Sequence, residues 1–168
     1  ITRNPLMPPI VKLTEEQAAA AFMLGESIQT SAGDPDAAGE FIRVVGTNPF
    51  IIGSRGEEGN RFYDLIADLG IDTFVLNTGS IGGGINEIEV TDTVAILEAT
   101  ARGTIEWTTD DALGMTVPAS VPGLDIEQFD VPNLVPEFET KYEHLQSERR
   151  EYLASFPDLR GEIVDGVY

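Results

Sequence analysis

Two features of this sequence are of types that could do chemistry: the single histidine, His144, and the glycine-rich stretch Gly79-Ser80-Ile81-Gly82-Gly83-Gly84. A histidine acts as a general base or metal ligand only with a nucleophile, carboxylate partner or second ligand held beside it. At helical spacing His144 shares a face with Glu137, Thr140, Lys141, Glu148 and Glu151, which is the composition of a solvated face. The glycines would cradle a phosphate if their amides converged at a helix N-terminus with a lysine nearby. Here they run into the alternating segment Glu87-Ile88-Glu89-Val90, and no Gly-Lys-Ser/Thr follows. They read as a turn between two strands, or as a loop whose missing side chains let a flat ligand lie close to the backbone. With no cysteine, thiolate metal sites and disulfides are excluded. A metal site built from this chain alone is not expected.

The elements that must position these residues alternate between helical and extended. Thr14-Glu-Glu-Gln17 is a capping box, so a helix opens at Thr14 and continues through Ala18 to Leu24, apolar nearly all round and therefore buried on more than one side. Residues 30 to 40, with Gly33, Pro35 and Gly39, read as an exposed loop. Phe41 to Val45 is strand-like, and Gly46 to Gly56 is a turn-rich connection containing Pro49 and Phe50. Phe62, Leu65, Ile66 and Leu69 at i, i+3, i+4 and i+7 give a second helix with these residues as its apolar face, stopped by Gly70. Asp72 to Leu76 is a buried strand ending at Asn77-Thr78-Gly79. A third helix starts near Asp92 and closes at Gly103.

Leu113 to Val117 reads as a further strand. The stretch from Pro118 to Pro136 reads as an extended surface crossing. A last long helix covers about Val135 to Phe156, one face carrying Phe138, Tyr142, Leu145, Arg149, Tyr152 and Phe156. The expected class is α/β (α+β), a mixed sheet flanked by helices, with residues 1–168 as one domain.

Charge narrows the partners. Twenty-nine acidic residues oppose ten basic ones, for a net charge of −19, and Lys12 and Lys141 are the only lysines. Such a surface repels phosphate backbones, so nucleic acid is not an expected partner. No apolar run approaches the ~20 residues of a membrane helix, so no membrane partner is expected and a cytoplasmic location is the default. The carboxylates are dispersed and never form a block, which favours adaptation to high salt over an acidic docking surface.

Several segments, in order, resemble the C-terminal third of the ATP-type phosphoenolpyruvate carboxykinase family. They are Pro8-Pro9-Ile10-Val11-Lys12-Leu13-Thr14-Glu15-Glu16-Gln17 with Phe22-Met23-Leu24-Gly25, then Thr30-Ser31-Ala32-Gly33, and then Gly46-Thr47-Asn48-Pro49-Phe50. Leu76-Asn77-Thr78-Gly79, Ile88-Glu89-Val90-Thr91-Asp92-Thr93 and Val117-Pro118 with Val121-Pro122-Gly123-Leu124-Asp125 complete the series.

The resemblance implies a fragment of that family's nucleotide-binding domain, in a parent that turns oxaloacetate and ATP into phosphoenolpyruvate, ADP and CO2. It implies that the P-loop, the Mg or Mn ligands and the oxaloacetate-binding arginines lie upstream, so that the fragment's partners are the upstream part of its own chain and the nucleotide. It implies no catalytic residue here. Ile88 would lie against the purine, and Thr93, at the start of the third helix, would hydrogen-bond at its edge. Glu87 falls where the family has an arginine, which could stack on a purine or neutralise phosphate as a glutamate cannot. A non-catalytic binding or scaffolding domain derived from the same fold is the alternative.

Overall fold

The computed structural model of the chain describes residues 1–28, 40–47 and 51–168. The expected loop at 30–40 (Glu40 apart), the Thr30-Ser31-Ala32-Gly33 segment and Asn48-Pro49-Phe50 lie outside the described residues. In chain order the elements are β1 (Ile10–Leu13), α1 (Glu15–Leu24), β2 (Glu26–Ile28), β3 (Phe41–Arg43), α2 (Arg55–Leu69), β4 (Thr73–Leu76), β5 (Ser80–Ile81) and β6 (Asn86–Glu87). They continue as α3 (Val90–Arg102), β7 (Glu106–Asp110), β8 (Met115–Ser120), α4 (Val131–Leu134), α5 (Phe138–Ala154) and α6 (Gly161–Asp165). Helices accompany antiparallel pairings, in keeping with the expected α/β (α+β) class. No helix among the described residues is long and apolar enough to cross a membrane. The chain divides into two compact units, Ile1–Lys12 with Phe74–Glu143, and Leu13–Thr73 with His144–Tyr168.

The first unit is organised on a four-stranded sheet of order β4-β1-β8-β7. β1 runs antiparallel to β8 with Lys12 opposite Thr116, and β7 and β8 form a hairpin with Trp107 opposite Pro118. Ile10, Leu76, Ile96, Ala99, Ile105 and Val121 form its core, and the rings of Phe74 and Trp107 stack at 5.6 Å beside them. β7 was not expected, although Trp107-Thr108-Thr109 has the aromatic and β-branched character of a strand. The strand expected at Leu113 to Val117 lies instead at Met115–Ser120. Asp110 to Gly114 make the hairpin turn, in which the Asp110 carboxylate accepts from the amides of Ala112 and Leu113. The expected extended crossing from Pro118 to Pro136 is corrected too. It holds the end of β8, a 3-10 turn at Ile126–Phe129 and α4, which Asp130 caps through the Asn133 amide.

In the second unit α1 begins where the capping box predicts. The Gln17 amide donates to the Thr14 hydroxyl at 3.3 Å, and the Thr14 amide donates to the Gln17 side-chain oxygen at 3.1 Å. α1 is buried at Ala18, Ala19, Ala20, Met23 and Leu24, so it is covered on more than one side as expected. α2 approaches it closely because Gly59 has no side chain: a Cβ there would stand 2.5 Å from the Met23 sulfur. Phe22 and Phe62 stack at 4.2 Å across the same contact. This geometry corrects the expected apolar face of α2. Gly56, Gly59 and Ile66 are buried, whereas Leu65 and Leu69 remain 54% and 60% exposed, because the close helix contact runs along the glycine side.

The second unit also buries a charge. The Arg149 guanidinium is fully enclosed and makes a two-point ion pair with Glu26, at 2.9 Å from Nε to Oε1 and 2.6 Å from Nη2 to Oε2. It donates as well to the main-chain oxygen of Tyr168 and lies 4.4 Å from the centre of the Tyr168 ring. Burial pushes the Tyr168 hydroxyl up to about 12, so the ring that covers the guanidinium is neutral at physiological pH. Nearer the surface, Arg160 binds both oxygens of Asp64 at 2.5 and 2.8 Å and holds that carboxyl below its ordinary value.

A buried guanidinium with half its charge partner removed is far more costly than an intact pair. Glu26→Gln therefore lowers unfolding stability by about 3–5 kcal/mol. The shift in denaturant midpoint at unchanged slope measures it, and a shift within error contradicts the pairing.

Candidate functional site

The residues proposed from sequence to meet a nucleotide lie in the first unit, on a short path from the end of β4 into the second turn of α3. Its start is fixed by Asn77, whose side chain is wholly buried. The Asn77 side-chain nitrogen donates to the carbonyls of Met7 at 2.7 Å and Asn4 at 3.1 Å, and its side-chain oxygen accepts from the Gly79 amide at 2.9 Å. Its own amide donates to Pro9. Main-chain bonds from Thr2 to Leu76 and from Thr78 to Thr2 complete the seam. Sequence reasoning placed Asn77 only at a strand end. Its partners are backbone carbonyls about seventy positions away in the chain, with no side-chain signature to find.

Beyond Gly79, β5 and β6 form a two-stranded hairpin with Ser80 opposite Glu87 and Ile81 opposite Asn86. Gly82 sits at φ 61°, in the left-handed region, and a Cβ on it would stand 2.4 Å from the tip of Ile85. The Gly82 amide donates to Pro5, and the amides of Gly84 and Ile85 donate to Ile81. Those amides are turned onto the chain itself, and the glycines lead into a strand, so the stretch is a hairpin turn and not a phosphate cradle. The Asn86 side chain ties the hairpin to the Gln128 carbonyl at 2.6 Å.

The three candidate residues follow. Glu87 is the last residue of β6 and is exposed. Ile88 is 7% exposed, and its amide donates to the Gly79 carbonyl at 3.0 Å, closing the hairpin base. The strand expected through Val90 ends at Glu87, and the third helix starts two residues earlier than expected. Glu89 is its cap residue, with its amide donating to the Asp92 carboxylate at 2.9 Å. Thr93 consequently stands in the second turn of α3, and its amide donates to the Glu89 carbonyl at 3.1 Å. The helix itself therefore satisfies this amide, and only the side chain is left for another contact. Its hydroxyl is half-buried and has no hydrogen-bond partner among the described residues.

A cavity of about 170 Å³ in the same unit is lined by Pro8, Pro9, Leu113, Pro118, Ile126 and Phe129, among others, and by none of the three candidates. It is smaller than the ~300 Å³ at which ligand pockets begin. His144 lies on the exposed face of α5 beside Glu148 at 3.8 Å, and no group of three potential ligands gathers among the described residues.

With this geometry in place, comparison with known proteins decides the family. The family model described as "Phosphoenolpyruvate carboxykinase" matches residues 2–127. The chain belongs to the phosphoenolpyruvate carboxykinase family. The match takes in both units in part and includes Asn77, the hairpin, Glu87, Ile88 and Thr93. The phosphoenolpyruvate carboxykinase (ATP) of Aeropyrum pernix is 31% identical over 163 residues, covering 95% of this chain and 32% of that protein. Those of Allorhizobium ampelinum and Sinorhizobium fredii are each 35% identical, over 134 and 129 residues. These alignments cover 74% and 71% of this chain but 25% and 24% of those carboxykinases. The chain thus spans about a third or less of the length of the curated relatives it matches.

Proposed function

We propose that the chain is the C-terminal part of an ATP-using phosphoenolpyruvate carboxykinase of gluconeogenesis, acting in the cytoplasm, and that it forms one wall of the adenine pocket. The observation that carries this reading is the family match over residues 2–127, which runs through the whole path from Asn77 to Thr93. The parent's reaction decarboxylates oxaloacetate and transfers phosphate from ATP to the resulting enolate. Such transfer depends on metal ions and on a cradle for the phosphates. On this reading both belong to the portion of the parent outside this chain, and the chain alone is inactive.

What this chain contributes is binding at the far end of the nucleotide. The Thr93 hydroxyl, half-buried and without a hydrogen-bond partner among the described residues, is suited to a hydrogen bond with the edge of a purine. Ile88 is aliphatic but only 7% exposed, so it would touch the base only at the edge of its surface. Glu87, exposed, has an acceptor-only carboxylate that can neither stack on the base nor neutralise phosphate, and so favours a base presenting donor groups.

Replacing Thr93 by Val in the full-length enzyme keeps the shape and removes the hydrogen bond. The KM for ATP should rise by the equivalent of about 1 kcal/mol, with the KM for oxaloacetate unchanged. A lower melting temperature with both KM values unaltered would instead make Thr93 a purely structural helix residue.

We further propose that the acidity is an adaptation to concentrated salt. Exposed carboxylates recur along α2 at Glu57, Asp64 and Asp68 and along α5 at Glu139, Glu143, Glu148 and Glu151, with few cations to offset them. Their mutual repulsion is screened as the Debye length shrinks from about 30 Å at 0.01 M to about 3 Å at 1 M. The melting temperature should climb steadily across that range of KCl, and a flat or falling trend contradicts the adaptation.

A further inference from the structure

The helix that carries Thr93 has two apolar faces, and the described residues of this chain cover one of them. Ile96 and Ala99 are buried in the core of the first unit, at 0% and 4% exposure. Val90, Val94 and Leu97, at 78%, 48% and 50% exposure, fall at i, i+4 and i+7 and form a single row along the helix. Isolated apolar residues on a surface are ordinary, but an aligned row of β-branched and leucine side chains is the pattern of a helix buried on both sides. A contiguous apolar surface of this kind marks a contact with another polypeptide.

We propose that this row of α3 is the seat of the parent chain's remaining portion, which packs on Val90, Val94 and Leu97 and thereby holds the Thr93 turn against the nucleotide site. The proposal rests on the reading of the chain as part of a longer carboxykinase. Two observations select that occupant. About two-thirds of the Aeropyrum relative lies outside the aligned region, ample polypeptide to cover a helix face. A second copy is disfavoured by charge: each copy carries −19, and Glu89, Asp92 and Glu98 stand in the same helix segment, so self-pairing would bring like charges together.

The test is alkylation of single cysteines introduced into the full-length protein, with labelling at each position read by peptide mass. This portion has no cysteine of its own, so Val94→Cys and Leu97→Cys report their positions without background from these residues, and Asp111→Cys in the exposed β7–β8 turn serves as control. Since a thiolate must be accessible to react, Val94→Cys and Leu97→Cys should label about tenfold or more slowly than the same proteins unfolded, with the control labelling near its unfolded rate. Native rates at Val94→Cys and Leu97→Cys equal to the unfolded rates, in a protein that retains carboxykinase activity, overturn the seat while leaving the carboxykinase reading standing. Protection that disappears on dilution to monomer assigns the face to a second copy and overturns the proposal. A full reading frame that encodes no further chain, or a product without carboxykinase activity, defeats the underlying reading and the proposal with it.

Discussion

The buried carboxamide of Asn77 is the constraint on which the candidate site depends. A primary amide has two donors and an acceptor in one plane, and here each donor meets a carbonyl of the N-terminal arm while the oxygen meets the next glycine amide. No other side chain of similar size supplies two donors and an acceptor in one plane. Aspartate would present acceptors to two buried carbonyls, and leucine would strip the Met7 carbonyl of this donor at about 1–3 kcal/mol, while the Asn4 carbonyl would keep its bond from the Met7 amide. Because Gly79 is held from one side by Asn77 and accepts from Ile88 on the other, the hairpin base and the start of α3 inherit their position from this one residue.

The second unit has its own polar anchor in Arg149 and Glu26. Both units therefore contain a buried polar group that is satisfied to a high degree, and in each case the partners are distant in sequence. Such groups add little net stability compared with an apolar replacement, but they penalise every arrangement that fails to pair them. The chemistry on offer is correspondingly modest. The amides of Gly82, Gly84 and Ile85 are used within the chain, and His144 is exposed on α5.

The sequence was most legible where structure is decided locally. Thr14 and Gln17 cap α1 as their spacing implies, Gly70 and Gly103 end α2 and α3, and Phe138, Tyr142, Leu145 and Arg149 all lie on the buried face of α5. The family resemblance, carried by ordered short segments, agrees with the match over residues 2–127. Errors arose where two local codes compete. Ile88 and Val90 alternate with Glu87 and Glu89 like a strand, but the Glu89–Asp92 capping interaction turns the chain into helix at Val90. Leu65 and Leu69 carry the periodicity of a core face that the described residues do not cover. The role of Asn77 was invisible because main-chain carbonyls leave no trace in a pattern of side chains.

Amide hydrogen exchange on Asn77→Asp tests the dependence on Asn77 most directly. The change keeps the acceptor for Gly79 and removes both donors to the N-terminal arm. The amides of Thr2, Thr78 and Gly82, which bond between the arm and the β4–β5 segment, should then lose protection, as should Ile88 at the hairpin base. Amides inside α1, such as those of Ala20 and Leu24, should exchange as before. Unchanged protection at Thr2, Thr78 and Gly82, or an equal loss in α1, would contradict the claim that Asn77 holds this part of the fold.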